Sequence, residues 1–182
     1  MKSLTTAFVL FFSIATLSAQ STKQVEDGLL KANALLPGIS YEFGVGNTST
    51  INLEGIIGFA IVGGSNRSTE FGIFPGVQAE YRNYLNFDRR IAKNKNISGN
   101  SGNYVSLLNQ FQLGTPLIGN LEYDTDYFYN LAVVYGIQRT SPKGFYWGVS
   151  FGPGIFVDDF GTDAGLLVDV RLGWVIGGRK KK

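Results

Sequence analysis

The residues best equipped for chemistry are a few charges set among small and polar neighbours. Glu80 and Arg82 stand two apart, as do Asp169 and Arg171, and Lys31, Glu42 and Glu54 accompany them. In an extended chain, side chains two residues apart lie on one face. A lone charge in a narrow enclosed space is costly, while a paired and hydrogen-bonded one is tolerable. Two readings fit such a row: a path for ions or protons, or a salt-bridged plug that fixes packing. Most other chemistry is excluded, because the chain has no His and no Cys. That removes Ser-His and Cys-His nucleophiles, disulfides, thiolate ligands and the usual zinc sites. An enzyme here would have to work with carboxylates, Lys or Tyr.

Ligand motifs are missing as well. Gly152-Pro153-Gly154 does not belong to a Gly-x-Gly-x-x-Gly that leads into a helix, and no Walker sequence is present. Asp158-Asp159-Phe160-Gly161-Thr162-Asp163 lacks the spacing and the final Glu of a calcium loop, so it reads as a turn. Asp124 and Asp126 read as loop residues in the same way. Neither a cofactor nor a metal site is expected.

The elements that must position these charges are strands. Ile39, Tyr41, Phe43 and Val45 alternate with Ser40, Glu42, Gly44 and Gly46. Phe145, Trp147, Val149 and Phe151 alternate with Gly148, Ser150 and Gly152. Similar period-two segments begin near residues 51, 71, 105, 127 and 166, and period two is the signature of a strand with two chemically distinct sides. An eighth segment runs through Leu30, Ala32, Ala34 and Leu36 to the Pro37-Gly38 turn pair, the alternative being one long bent strand over 29–46. Asn109 interrupts an apolar face. Ile56, Phe74 and Val134 interrupt polar ones.

Composition indicates which side faces what. Only 16% of residues are charged, and the chain holds 24 Gly, 14 Phe and 9 Tyr. A soluble domain carries about 25% charge. The apolar sides bear Tyr41, Tyr81, Tyr127, Tyr129, Trp147 and Trp174, as membrane-interface girdles do. The opposite sides are Gly, Ser, Asn and Gln with the seven charges above, a composition suited to a narrow lumen. The expected fold is therefore all-β: a closed antiparallel eight-stranded up-and-down transmembrane β-barrel, even in strand number as single-chain bacterial barrels are. Room for little more than side chains is expected inside eight strands.

The chain opens like an address. Lys2 precedes an apolar stretch from Leu4 to Leu17 that ends at Ser18-Ala19, the layout of a secretory signal peptide. The expected organisation is a signal peptide over 1–19, an N-terminal periplasmic segment over 20–28, the barrel over 29–178 and a basic tail over 179–182. A net charge of +2 shows no nucleic-acid bias. The longest connection, 86–103, carries Arg89, Arg90, Lys93 and Lys95; it reads as a solvated loop or as a site for an anionic partner such as lipopolysaccharide phosphate or peptidoglycan.

Leu35-Leu36-Pro37-Gly38-Ile39-Ser40-Tyr41-Glu42-Phe43, Tyr81-Arg82-Asn83-Tyr84-Leu85-Asn86 with Arg89-Arg90, and Ser98-Gly99-Asn100-Ser101-Gly102-Asn103-Tyr104 resemble the small outer-membrane β-barrel proteins of Bacteroidota-type bacteria. The resemblance implies a build similar to the OmpA transmembrane domain. Arg171, Gly173 and Ile176 in the last strand resemble the signal that such barrels present to their assembly machinery. The usual terminal aromatic is absent, and Gly177 to Lys182 trails on.

The resulting expectation is a non-enzymatic barrel of the cell outer membrane, with a structural or loop-mediated role. Its partners are outer-membrane lipids and, during insertion, the assembly machinery. The alternative is a soluble periplasmic lipocalin-like carrier of an apolar ligand, which needs its rings inward. A lipid-modifying barrel enzyme is a third option, opposed by the lack of His.

Overall fold

Among the described residues, nine strands form one antiparallel sheet. They are β1 (Gly28–Asn33), β2 (Gly38–Gly44), β3 (Ser49–Gly64), β4 (Arg67–Tyr84), β5 (Gly102–Leu113), β6 (Ile118–Gly119), β7 (Tyr127–Thr140), β8 (Phe145–Asp158) and β9 (Gly161–Gly177), and the same residues include a short helix, α1 (Phe87–Ala92). This computed structural model describes residues 23–64 and 67–178. The expected signal peptide over 1–19 and basic tail over 179–182 lie outside the described residues.

Eight of the strands are hydrogen-bonded in a ring, β1-β2-β3-β4-β5-β7-β8-β9 and back to β1, each antiparallel to its neighbour. β6, a two-residue strand inside the 114–126 connection, adds to the far part of β4. The all-β reading with eight ring strands therefore holds at this level. Three boundaries differ from expectation. β4 begins at Arg67, paired with Gly64 of β3, rather than near residue 71. β9 begins at Gly161, and the 86–103 connection contains α1.

Both described ends of the chain, the β2–β3 link, the α1 connection and the β7–β8 turn lie at one end of the ring; we call this the near end. The far end carries the 114–126 connection, the last residues of β3 with the first of β4, and the β8–β9 turn. The β1–β2 turn, Ala34 to Pro37, lies between the two. The ring is continuous at the level of β1 and β2. Beyond their turn, β3 and β9 run on with no strand between them among the described residues.

Side chains alternate along every ring strand, and the burial is inverted relative to a water-soluble protein. Phe59 and Leu166 are 64% and 65% exposed, whereas Glu42 and Lys31 are 0% and 2% exposed. The interior is layered. Near the termini, Val25, Tyr84, Phe87 and Tyr104 pack together. The charged layer follows. Beyond it come Leu108, Ala132, Val134 and Leu167 with Phe156. The breaks in the polar faces are inward apolar residues: Val134 belongs to this last layer, and Ile56 and Phe74 are also buried, Phe74 against the Tyr123 ring at 4.6 Å. The break in the apolar face has an equally local reason, since outward Asn109 accepts a hydrogen bond from the Tyr129 hydroxyl at 2.9 Å.

Candidate functional site

Inward strand positions bring the seven charges together. β1 contributes Lys31, β2 Glu42, β3 Glu54, β4 Glu80 and Arg82, and β9 Asp169 and Arg171. All are buried except Asp169, whose side chain is 14% exposed. Glu42 is the hub on one side. It pairs with Lys31 and, at 3.5 Å, with Arg82. It also accepts from the Tyr84 hydroxyl at 2.7 Å, Thr50 at 2.8 Å and Asn100 at 2.9 Å. The Arg82 guanidinium holds Glu80 at 2.5 Å, and Ser106 donates to the other Glu80 oxygen at 2.6 Å. On the opposite side Arg171 pairs with Glu54 and, at 2.7 Å, with Asp169, and donates to Gln78 at 2.9 Å. Asn33 also donates to Glu54. The i, i+2 pairs read from the sequence are thus real contacts, and the isolated charges complete them across strands.

Aromatic rings complete the cation shell. The Arg82 guanidinium carbon lies 4.8 Å from the Tyr104 ring centre, and the Lys31 nitrogen 5.3 Å from that of Tyr146. Gly136 on the neighbouring strand makes room: a Cβ there would run into the Tyr104 ring. The inward glycines are thus partly the counterpart of inward tyrosines. Tyr84, Tyr104 and Tyr146 went unforeseen as site residues, although Tyr84 and Tyr104 stand two from Arg82 and Ser106 and so share their face.

The near end is closed by the basic connection. Phe87 of α1 stacks on Tyr84 at 4.6 Å. Asn100, in the left-handed region at φ 54, reaches Glu42 with its amide nitrogen and accepts from the Glu26 backbone N–H at 2.9 Å. Glu26 in turn accepts from the Gly99 N–H at 3.0 Å. Thr140 and Ser101 bond to each other at 2.8 Å. Reading 86–103 as a merely solvated loop therefore needs correction for its second half, which is anchored in the ring. Its cations divide. Arg90 donates to the Asn96 carbonyl at 2.6 Å, while Arg89, Lys93 and Lys95 are exposed.

Within the charged layer the space left is small. The cavity bounded by Lys31, Glu54, Arg82, Gln138, Tyr146 and Arg171 measures about 10 Å³. That is about one water, too little for a hydrated ion. Asn52 Oδ1 and Ser150 Oγ, which face it, and Gln78 Nε2 have no hydrogen-bond partner. Asp158 and Asp159 behave as turn residues: Asp158 accepts from the Phe160 N–H at 2.9 Å, and Asp159 from the Asp126 N–H at 2.6 Å. Among the described residues no acidic cluster could hold a metal ion.

On the outside, Tyr41, Tyr81, Trp147 and Trp174 are exposed within three residues of the near ends of β2, β4, β8 and β9. Tyr127 and Tyr129 mark the far end of β7 and are half-buried, with Tyr127 stacked on Phe111 at 5.9 Å. No family model, curated protein or solved structure matches the chain.

Proposed function

We propose that the chain is a non-enzymatic integral β-barrel protein of the bacterial outer membrane, with a plugged lumen and a structural or loop-mediated interaction role. It is exported by a signal peptide over 1–19 and inserted by the barrel-assembly machinery. The observation that carries this reading is the inverted burial. Exposed Ile39, Phe59, Val77, Leu166 and Val168 face outward while Lys31, Glu42, Glu80 and Arg82 are enclosed. Water on the outside would penalise that arrangement along every strand, whereas hydrocarbon favours it. Tyr and Trp at the near edge of the belt suit a headgroup layer.

The interior is better explained as a plug than as a path. Each cation has a carboxylate partner, and the remaining cavity is water-sized. Arg89, Lys93 and Lys95, exposed beyond the aromatic edge, suit an anionic partner. The carrier alternative needs rings turned inward around a ligand space, and the ring direction opposes it.

Fractionation tests the reading. The mature protein should sediment with membranes and enter solution only with detergent. Its folded form should migrate differently on a dodecyl sulfate gel before and after boiling. A protein that stays soluble after lysis without detergent sinks the proposal.

A further inference from the structure

The β1–β2 turn stops short of the rest of the ring, and its chemistry is unusual. Ala34-Leu35-Leu36-Pro37 offers no polar side chain, and Leu35 and Leu36 are 52% and 45% exposed. Apart from Pro37 it holds none of the turn-favouring residues, and it lacks the polar Asn, Asp and Ser that water-facing turns use, so it suits apolar surroundings. Its last bonds to the flanking strands run from the Ile57 N–H to the Pro37 carbonyl at 3.0 Å and from the Ala34 N–H to the Leu172 carbonyl at 2.8 Å. Beyond them, residues 58–64 of β3 and 161–171 of β9 have no pairing on the facing edges among the described residues. Backbone groups alternate in direction along a strand. Phe59 and Ile61 on β3, and Leu166, Val168 and Val170 on β9, therefore aim N–H and C=O groups into the gap.

On the outer-membrane reading, on which this inference rests, that gap lies in the apolar belt. Lipid chains cannot satisfy backbone groups, so an open sheet edge facing hydrocarbon is not tolerated. The occupant must be backbone. Strand direction selects which. β3 runs from near end to far end, and β9 runs back. Two copies inserted with the same orientation and facing each other gap to gap are related by a twofold axis along the ring axis. This sets β3 of each copy antiparallel beside β9 of the other, so that both edges of both copies are satisfied by one isologous contact. Pairing β9 with β9 antiparallel would leave one copy upside down in the membrane. We propose that the protein is a twofold dimer zipped at this gap, with residues 58–64 of β3 of each copy paired to residues 161–171 of β9 of the second, and with the apolar β1–β2 turns against the seam.

The absence of Cys makes the test direct. Single variants Phe59→Cys or Ile61→Cys are mixed in urea with Leu166→Cys or Val168→Cys. Each pair is folded together into phosphatidylcholine vesicles and oxidised. Paired strands lie within disulfide reach, so at least one mixture should give about tenfold more covalent dimer than either variant alone. Protein that enters vesicles and shows heat-shifted migration, yet cross-links in no mixture, overturns the dimer and leaves the membrane reading standing. So does a Phe59→Cys/Val168→Cys chain that closes on itself as a monomer, or labelling of a monomer at the gap by a photoactivatable phosphatidylcholine. Protein that never enters the vesicles overturns both readings.

Discussion

Glu42 is the residue on which the interior depends most. It is fully buried, faces two cations and accepts three further hydrogen bonds from Thr50, Tyr84 and Asn100. Breaking a buried ion pair by neutralising one partner leaves an uncompensated charge and costs about 3–5 kcal/mol. Glu42→Gln keeps the shape but should destabilise by about that much. The readout is the temperature at which the folded band disappears on a dodecyl sulfate gel, or the urea midpoint in lipid. Adding Lys31→Met should recover part of the loss, because it removes the cation left without a carboxylate, whereas Arg82 keeps Glu80. An unchanged midpoint for Glu42→Gln alone would show that the network is not the stabilising layer inferred here.

At the scale of elements, the α1 connection works as a stopper. Its first half packs Phe87 against Tyr84, and its second half hangs on Asn100, Gly99 and Ser101. Asn100→Ala removes the side-chain bonds to Glu42 and Glu26 and puts Ala at φ 54, where Asn is better tolerated. Losing buried hydrogen bonds costs about 1–3 kcal/mol, so the connection should open about tenfold more often or beyond. Trypsin cutting after Arg89, Lys93 or Lys95 measures that opening. An equal cleavage rate in the two proteins would mean that these bonds do not hold the stopper in place.

The whole molecule divides charge along its axis. Among the described residues, exposed Lys23, Arg89, Lys93, Lys95 and Lys143 outnumber exposed Asp27 and Asp88 at the near end, and exposed Glu122, Asp124, Asp126, Asp159 and Asp163 lie at the far end. Between the ends, the charged layer and the apolar layer of Leu108, Val134 and Leu167 fill the ring in series. Planar bilayers containing the pure protein should therefore show no steady current at neutral pH. A stable open conductance would contradict a filled interior.

The sequence by itself determined the strands, their two faces and the membership of the charge network. Period two is a local property, and a residue such as Arg82 or Glu54 carries its face assignment in its parity. It also disclosed a turn next to Pro37, although the turn covers Ala34 to Pro37 and takes in Ala34 and Leu36, read as strand positions. Only the tertiary structure decided that Asn100 lies on Glu42, 58 residues away, because a contact between a loop and a strand leaves no spacing to read. The inner apolar residues were visible only as unexplained interruptions at Ile56, Phe74 and Val134; the ring buries all three and packs Val134 with Leu108, Ala132 and Leu167. The unpaired edges of β3 and β9 were equally hidden. They depend on register, meaning where each strand starts and stops against its neighbour, and alternation within a single strand carries no information about that.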